Sequence, residues 1–207
     1  MKSGLKVTLF AMILVFMICG NGITGETVKF VLRAVPASFM VSPDIDNFYI
    51  QNAGIRDDVD GNTAWTPRID LGIGFNVGDS VLLDATLGAG WYYGGKTLDS
   101  NFLTERLSAR YKLGKFVTLG AELGLIQFDN LEWEGDYARS DVNFSHSDGY
   151  LGGLLFTAGS DRVSFSLSVD YVNLDDFDVT ATGGWTPSSN SLDLSGTLIN
   201  AGVLFRY

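Results

Sequence analysis

The chain alternates apolar and polar side chains with a period of two, in segments close to the ~9–11 residues with which a β-strand crosses a bilayer. The alternation is plainest at 163–171, where VSFSLSVDY places every apolar side chain at an odd position. Successive side chains of a strand point to opposite faces, so such a segment has one apolar and one polar face. Eight segments carry the pattern: 27–35, 69–75, 81–91, 103–113, 117–125, 150–158, 163–171 and 197–207. The pattern predicts an all-β fold.

The connections between these segments alternate in length. Short, turn-forming stretches lie at 76–80, 114–116 and 160–161, and longer polar stretches lie at about 40–65, 94–101, 129–147 and 174–192. With eight strands, both chain ends and all the short turns share one end of the sheet, as in outer-membrane barrels. We therefore predict an eight-stranded antiparallel transmembrane β-barrel with short periplasmic turns and four longer extracellular loops.

The two faces of the predicted strands differ in a way that favours a membrane. One face carries Leu, Val, Ile and Phe with aromatic residues near the strand ends. The other carries Gly, Ser and Thr with isolated charges of both signs, which suits a narrow lumen better than an open solvent face. A soluble eight-stranded barrel of the lipocalin type has the same periodicity and stays open as an alternative.

The first 22 residues are predicted to be a cleaved signal peptide, with the barrel at 23–207. Lys2 and Lys6 supply the positive start, 7–18 form an apolar run, and glycines stand at the −3 and −1 positions of the cleavage site. A membrane-spanning helix needs about 20 apolar residues, which this run does not reach. We expect export to the cell outer membrane, and loss of the two lysines changes the net charge from −10 to −12.

Composition excludes several classes of function. A net charge of −10 is opposite to the basic surface of a nucleic-acid binder, so no nucleic-acid partner is expected. One Cys and one His exclude a disulfide framework and a Cys-rich or multi-histidine metal centre. The acidic run at 57–62 lacks the terminal Glu of a calcium loop, so we interpret it as solvated. The sequence predicts no metal site and no cofactor.

The end of the chain carries its most specific motif. Asn200, Gly202, Phe205 and Tyr207 give a polar residue, a glycine and an apolar-x-aromatic ending, with the odd positions on the predicted lipid face. This pattern resembles the signal that the bacterial outer-membrane assembly machinery recognises. The resemblance makes that machinery an expected partner during biogenesis.

With this ending, the chain resembles the small eight-stranded bacterial outer-membrane β-barrels of the OmpX, OmpA-domain and OmpW-like group. Arg33-Ala34 followed by Val41-Ser42-Pro43-Asp44, and Pro67-Arg68-Ile69-Asp70 at the start of the second strand, are similar to the OmpW type. The resemblance implies contact with outer-membrane lipids and lipopolysaccharide. An OmpW-like protein is expected to conduct small hydrophobic solutes.

The polar face of the predicted strands holds charges of both signs. A turn at 114–116 would set Ser108 opposite Glu122, with Arg106 and Arg110 on its diagonals. A turn at 76–80 would set Gly72 opposite Asp84. The expected lumen charge network is Arg68, Asp70, Asp84, Arg106, Arg110, Lys112, Glu122 and Asp170. Such charges must pair when buried, so the network is interpreted as a plug, with a gate that opens by rearrangement as the alternative.

Three functions remain open at this point. The first is a non-enzymatic structural or surface-interaction role through the acidic loops. The second is the OmpW-like conduit, for which the lumen glycines would leave space. The third is a lipid A-modifying hydrolase, but His146 lies directly next to Ser145 and Ser147, without the same-face spacing that a base and nucleophile on one strand require. We therefore predict no catalytic residues and no enzyme activity.

Overall fold

A closed barrel of eight antiparallel strands forms the body of the protein. The computed structural model describes residues 28–138 and 141–207, so the predicted signal peptide at 1–22 lies outside the described residues. Neighbours in the chain pair with each other, and the last strand pairs with the first. The barrel strands are β1 (Lys29–Val41), β2 (Arg68–Val77), β3 (Val81–Gly94), β4 (Leu98–Lys112), β5 (Val117–Trp133), β6 (Ser147–Gly159), β7 (Val163–Leu174) and β8 (Gly196–Arg206). The predicted fold is confirmed.

Several strands run further towards the long loops than the alternation indicated. β5 continues to Trp133, and β1 continues to Val41. The stretch 94–101, predicted as a long loop, is instead the tip of the β3–β4 hairpin, with a turn at 95–97. Outward side chains there face water, so Asp99 and Asn101 break the apolar pattern while the backbone ladder continues.

The register of β2 against β3 differs from the prediction by two residues. Gly74 rather than Gly72 lies opposite Asp84, because the ladder continues to Val77 and Val81 before the chain turns. An even shift keeps every side chain on its predicted face. The predicted pairing of Ser108 with Glu122, between β4 and β5, is present.

Two prolines interrupt the wall between β1 and β2. Pro36 lies at a bulge in β1, and Pro67 directly precedes β2, and neither has an N–H to donate to the ladder. Trp65 covers the break from outside. Its indole Nε1 donates to the Pro36 carbonyl at 2.8 Å, and its ring stacks on Tyr93. Next to the prolines, the Thr66 backbone N–H donates to the Ser38 carbonyl at 2.8 Å, so backbone pairing and the indole contact together close the wall at this position.

The long loops fold into a cap above the barrel. The loop after β1 forms a hairpin of Tyr49–Asn52 and Ile55–Asp58, whose tip residues Ala53 and Gly54 have φ of 47° and 89°. Positive φ at both tip residues matches the twist of a tight hairpin. The other cap elements are strands Val142–Phe144, Phe177–Ala181, Thr186–Pro187 and Ser191–Leu192, and the 3-10 helix Ile45–Asn47, whereas the short strand Thr63–Trp65 belongs to the barrel sheet, between β1 and β3. Two three-stranded sheets join the loops.

No helix in the described part of the chain is long and apolar enough to cross a membrane.

The outer surface of the barrel is an apolar belt. On β7, the outward residues from Val163 to Tyr171 are all apolar and between 40% and 59% exposed. Aromatic side chains edge the belt towards the loops at Trp91, Tyr150 and Tyr171, and towards the short turns at Tyr111, Phe116 and Tyr207. A soluble monomer exposes far smaller apolar patches, whereas lipid tails solvate a belt with aromatic girdles. The soluble lipocalin-type alternative is therefore set aside.

The interior of the barrel has two zones. The half nearest the short turns is filled by buried charged and hydroxyl side chains. The half nearest the loops is apolar and continues into the cap. We call this apolar half the upper core, defined by the barrel residues Met40, Tyr92, Phe102, Ile126, Phe128, Trp133, Leu151, Val172 and Leu198 together with the loop residues Phe48, Ile50, Phe177 and Leu194.

Candidate functional site: lumen and loop cap

The eight residues predicted for the lumen all lie on inward positions of the strands. Seven of them are at most 5% exposed. The exception is Lys112, which lies at the mouth near the short turns and pairs with the exposed Asp161 at 2.9 Å. The charges form two groups rather than one.

The first group, here called the central cluster, is organised around Glu122 on β5. Its two carboxylate oxygens bind Arg33 of β1 at 2.8 Å and Arg106 of β4 at 3.1 Å. Arg33 also donates to the Ser168 hydroxyl on β7 at 3.0 Å. One buried carboxylate thus connects three walls of the barrel.

Asp170 extends the central cluster to the other side of the lumen. Its Oδ2 lies 3.1 Å from Arg106 Nη1 and accepts a hydrogen bond of 2.9 Å from Asn200 Nδ2. Asn200 Oδ1 in turn accepts from Arg68 Nη1 at 2.6 Å, and Arg68 Nε pairs with Asp70 at 3.2 Å. The chain of contacts therefore runs without interruption from Arg33 to Asp70.

The second group, here called the lower cluster, lies nearer the short turns. Asp84 on β3 pairs with Arg110 of β4 through one oxygen and with Arg206 of β8 at 2.9 Å through the other. Arg206 also donates to the Asn76 side chain at 3.0 Å. Arg110 therefore does not pair with Glu122, although the two are diagonal neighbours as predicted. Asp84 is likewise not grouped with Asp70, because the β2–β3 register places them in separate layers.

Sequence reasoning missed Arg33, Arg206 and Asn200 as lumen residues. Arg33 and Arg206 have the parity of the polar faces of β1 and β8, so the alternation alone would have placed them inside. Asn200 was considered only as part of the terminal motif, yet it is fully buried and bridges Asp170 to Arg68. The lumen buries five arginines against four carboxylates, and the sequence analysis had named only three of these arginines.

The lumen glycines do not leave a passage. A Cβ at Gly88 would collide with the Asp70 carboxylate and the Thr104 hydroxyl, and a Cβ at Gly153 would collide with Asp170. These glycines make room for charged side chains from neighbouring strands. The space that the conduit hypothesis required is occupied by the charge network.

The upper core closes the other half of the lumen. Phe128 of β5 packs edge-on against Tyr92 and Phe177 at centroid distances of 5.5 and 5.9 Å, and Phe102 lies 5.5 Å from it. Phe177 belongs to the last long loop, so the barrel interior and the cap share one apolar core. The cap is held in place by the same packing that fills the barrel.

The cap surface is acidic, and one of its carboxylates is not solvated as predicted. Asp57 is only 8% exposed, and its Oδ2 accepts hydrogen bonds of 3.2 Å from Trp133 Nε1 and from the Tyr137 backbone N–H. It fastens the first loop to the third. The described residues hold no cluster of three or more His, Cys, Asp or Glu side chains arranged for a metal ion.

Like charges meet at the loop end of the barrel wall. Asp99 lies directly opposite Glu132 on the neighbouring strand. Partial burial is the main cause that raises the pKa of the Asp99 carboxyl, and repulsion from Glu132 and Glu134 raises this pKa further. Elsewhere on the cap, a hydrogen bond from Arg56 to Asp58 raises the pKa of that guanidinium. The acidic surface is therefore only partly neutralised by its own cations.

Comparison with known proteins identifies this barrel architecture among solved structures. No protein-family profile matches the chain, and no curated protein matches it. Among solved structures it is similar to the outer membrane protein OprG of Pseudomonas aeruginosa, with 17% identity over 88% of this chain and 97% of that chain and a TM-score of 0.50. The fold is that of the small outer-membrane β-barrels. The chain is also similar to the N-terminal barrel domain of Pseudomonas aeruginosa OprF (12% identity, 86% and 97% covered, TM-score 0.48) and to Neisserial surface protein A (15%, 89% and 100%, TM-score 0.45).

In this outer-membrane barrel the histidine lies on the cap. The His146 side chain is 53% exposed, and its Nε2 lies 2.6 Å from Asp148. The Ser145 hydroxyl accepts the Asp178 backbone N–H, and the Ser147 hydroxyl donates to the Asp175 carbonyl. Within the described residues, neither flanking serine is hydrogen-bonded to the imidazole, as a nucleophile and its base would be.

The terminal motif is split between the two faces of the barrel wall. Phe205 and Tyr207 point outward, with their rings stacked at a centroid distance of 6.4 Å, and Tyr207 is 62% exposed. Gly202 is inward, where a Cβ would collide with the Ala34 carbonyl of β1. The two aromatic residues are therefore accessible from the bilayer, whereas the inward residues serve the closure of the barrel and its charge network.

Proposed function

We propose that this protein is a non-enzymatic outer-membrane barrel that acts at the cell surface through its acidic loop cap. The observation that carries the proposal is the filled lumen, with buried ion pairs in one half and the upper core in the other. Filling of this kind supports the loops rigidly from below. It leaves the cap as the part of the molecule that meets other molecules.

The cap has the construction of a binding platform. Its loops are joined in two small sheets and share the upper core, and Asp57 connects the first and third loops. A surface ordered before binding loses less conformational entropy when a partner docks. We therefore expect the cap to bind as a preformed surface.

The charge of the cap specifies the chemistry of its partner. Arg56 and Lys96 are the exposed cations of its described loops and of the β3–β4 turn. The exposed carboxylates include Asp44, Asp46, Asp58, Asp60, Glu132, Asp136, Asp175, Asp176 and Asp178. Such a field attracts a cationic partner and repels anionic ones. We expect a basic protein or peptide surface to bind the cap, while phospholipid and lipopolysaccharide chains contact the apolar belt.

Binding of polylysine to the purified barrel tests this proposal, with polyglutamate as the opposite-charge probe. Polylysine should bind with an affinity that falls steeply with salt, and polyglutamate should not bind. The double variant Asp175→Asn, Asp176→Asn should weaken polylysine binding several-fold. The matched control Asp79→Asn and Asp161→Asn, at the short turns, should not. Equal loss in both variants would mean that overall charge rather than the cap is responsible.

One observation favours the conduit as a second candidate. The break at Pro36 and Pro67 lies where the charged half of the lumen meets the upper core, since Met40 is four residues further along β1. Trp65 covers this break from outside, so a lateral opening of the wall at this position would require its displacement. In liposomes, Trp65→Ala should then increase uptake of an alkane over Trp65→Phe. No uptake by the wild type or either variant, and no conductance in planar bilayers, would reject the conduit.

A further inference from the structure

A pocket opens at the end of the barrel opposite to the cap, where the lumen meets the short turns. It is small and opens to solvent at its mouth. The β4–β5 and β6–β7 turns and the end of β8 form its walls. Its polar lining is Arg110, Lys112, Lys115, Thr118, Thr157 and Arg206, with Ser160, Asp161 and Ser164 at the rim. We call it the mouth pocket.

The mouth pocket is basic in a protein that is strongly acidic overall. Four cationic side chains line it, and Asp161 is the carboxylate in its lining. Asp84 lies behind it and is shared between Arg110 and Arg206, so one carboxylate serves two guanidinium groups. The count of four cations against these two carboxylates leaves an excess of positive charge. The net charge of the whole chain is −10.

The pocket also has a buried donor that no protein group satisfies. Arg110 is 2% exposed, and its Nη2 pairs with Asp84. Its Nε, however, has no hydrogen-bond partner in the described part of the chain. A buried N–H without a partner costs free energy, which an oxyanion in the pocket would recover.

The remaining groups of the pocket suit the same ligand. The Thr118 and Thr157 hydroxyls lie 2.6 Å apart, and whichever accepts that hydrogen bond keeps its own proton to donate. Lys112 pairs with Asp161, whose side chain is 57% exposed, and such exposed pairs are weak enough to exchange for a ligand. A guanidinium at the base, hydroxyls on the wall and lysines at the rim are donors that a phosphate group accepts.

We propose that the mouth pocket binds a phosphate group at the periplasmic end of the barrel, with Arg110 as the buried donor and Lys112 and Lys115 as the rim cations. Leu113 and Phe116 lie on the same turn as Lys115 and are more than 60% exposed at the edge of the apolar belt. The phosphate can therefore come from a phospholipid headgroup in the adjacent leaflet or from a free phosphate ester. Both sources share this chemistry.

The test begins with inorganic phosphate, added to the full-length barrel in a maltoside detergent at constant ionic strength. Phosphorus-31 NMR should show saturable binding that chloride does not replace. Lys112→Gln with Lys115→Gln should weaken it at least tenfold. The control Arg56→Gln with Lys96→Gln removes two cations from the loop end and should leave binding unchanged. The proposal would be overturned if neither inorganic phosphate nor the headgroups of phosphatidylglycerol nanodiscs bound saturably. Equal weakening of binding in the control variant would also overturn it.

A second arm distinguishes the two sources of phosphate. In nanodiscs of phosphatidylglycerol, an immobilised headgroup signal that disappears in the Lys112→Gln, Lys115→Gln variant identifies the lipid. Binding of inorganic phosphate without that signal identifies a soluble phosphate ester. Arg110→Lys keeps the charge but loses Nε, so a folded Arg110→Lys barrel should also bind more weakly. If that variant does not fold, the lysine pair alone decides.

Discussion

Arg33 on β1 and Glu122 on β5 are joined at 2.8 Å across the full width of the lumen. Their strands are four apart in a ring of eight, so the ion pair braces opposite walls. The second oxygen of Glu122 binds Arg106 at 3.1 Å. The carboxylate is therefore the point at which three strands of the barrel are fastened from inside.

Glu122→Gln should destabilise the barrel more than any conservative change on its surface. Removing the charge leaves Arg33 and Arg106 buried without their shared anion, and breaking a buried pair from one side typically costs about 3–5 kcal/mol. Urea unfolding in detergent, followed by the heat-dependent shift in gel mobility, measures the loss. Glu132→Gln makes the same change at the exposed end of the same strand and should stay within about 0.5 kcal/mol of wild type. Equal stability of both variants would show that Glu122 does not brace the wall.

Asp57→Ala should loosen the cap while leaving the barrel closed. The change removes the acceptor of two hydrogen bonds that tie the first loop to the third, and it leaves a buried indole N–H unpaired, at a cost of about 1–3 kcal/mol. Limited proteolysis should cut the loops faster, with the heat-dependent gel shift unchanged. The neighbouring Asp58→Ala lies on the exposed side of the hairpin and should leave the cleavage rate near that of wild type.

The alternation of side chains was sufficient to predict the strands, and the reason is the bilayer. Lipid on one side and a packed lumen on the other impose opposite chemistry on successive residues, as at 163–171. Above the bilayer the outward side meets water, so the pattern disappeared at Asp99 and Asn101 although the β3–β4 ladder continues. The strand ends were therefore harder to predict than the strands.

The side chains that face each other inside the barrel could be predicted only in part. Cross-strand neighbours such as Ser108 and Glu122 follow from the length of one turn. The contact between Arg33 and Glu122 depends on barrel closure and on the reach of a long side chain across the lumen. No local rule connects residues on opposite walls. Predicting the β2–β3 register correctly would also have required placing the turn at 78–80 instead of 76–80.

Lowering the pH should release a cationic partner from the cap. Polylysine binding depends on ionised carboxylates, and each carboxyl loses its charge as the pH falls through its pKa. The pKa of Asp99 is raised by partial burial and by Glu132, so Asp99 is neutralised at a higher pH than an ordinary aspartate. Binding should therefore begin to weaken above the usual aspartate range, and Asp99→Asn should remove that first part of the decline. A titration followed by fluorescence anisotropy measures it, and an unchanged profile in Asp99→Asn would contradict the assignment.

Phe205→Ser with Tyr207→Ser should impair assembly in the cell more than the stability of the finished barrel. Both rings lie outward on the last strand, where an assembly factor in the membrane can reach them. The control Phe165→Ser with Tyr171→Ser removes an outward phenylalanine and an outward tyrosine from β7, and because Phe165 is more exposed than Phe205, the control loses at least as much apolar contact with lipid. Refolding of the two purified variants into detergent should be equally efficient. If the terminal pair is a recognition signal, its variant should reach the outer-membrane fraction at a much lower level than the β7 variant. Equal levels in cells would mean that the terminal aromatics act only as belt residues.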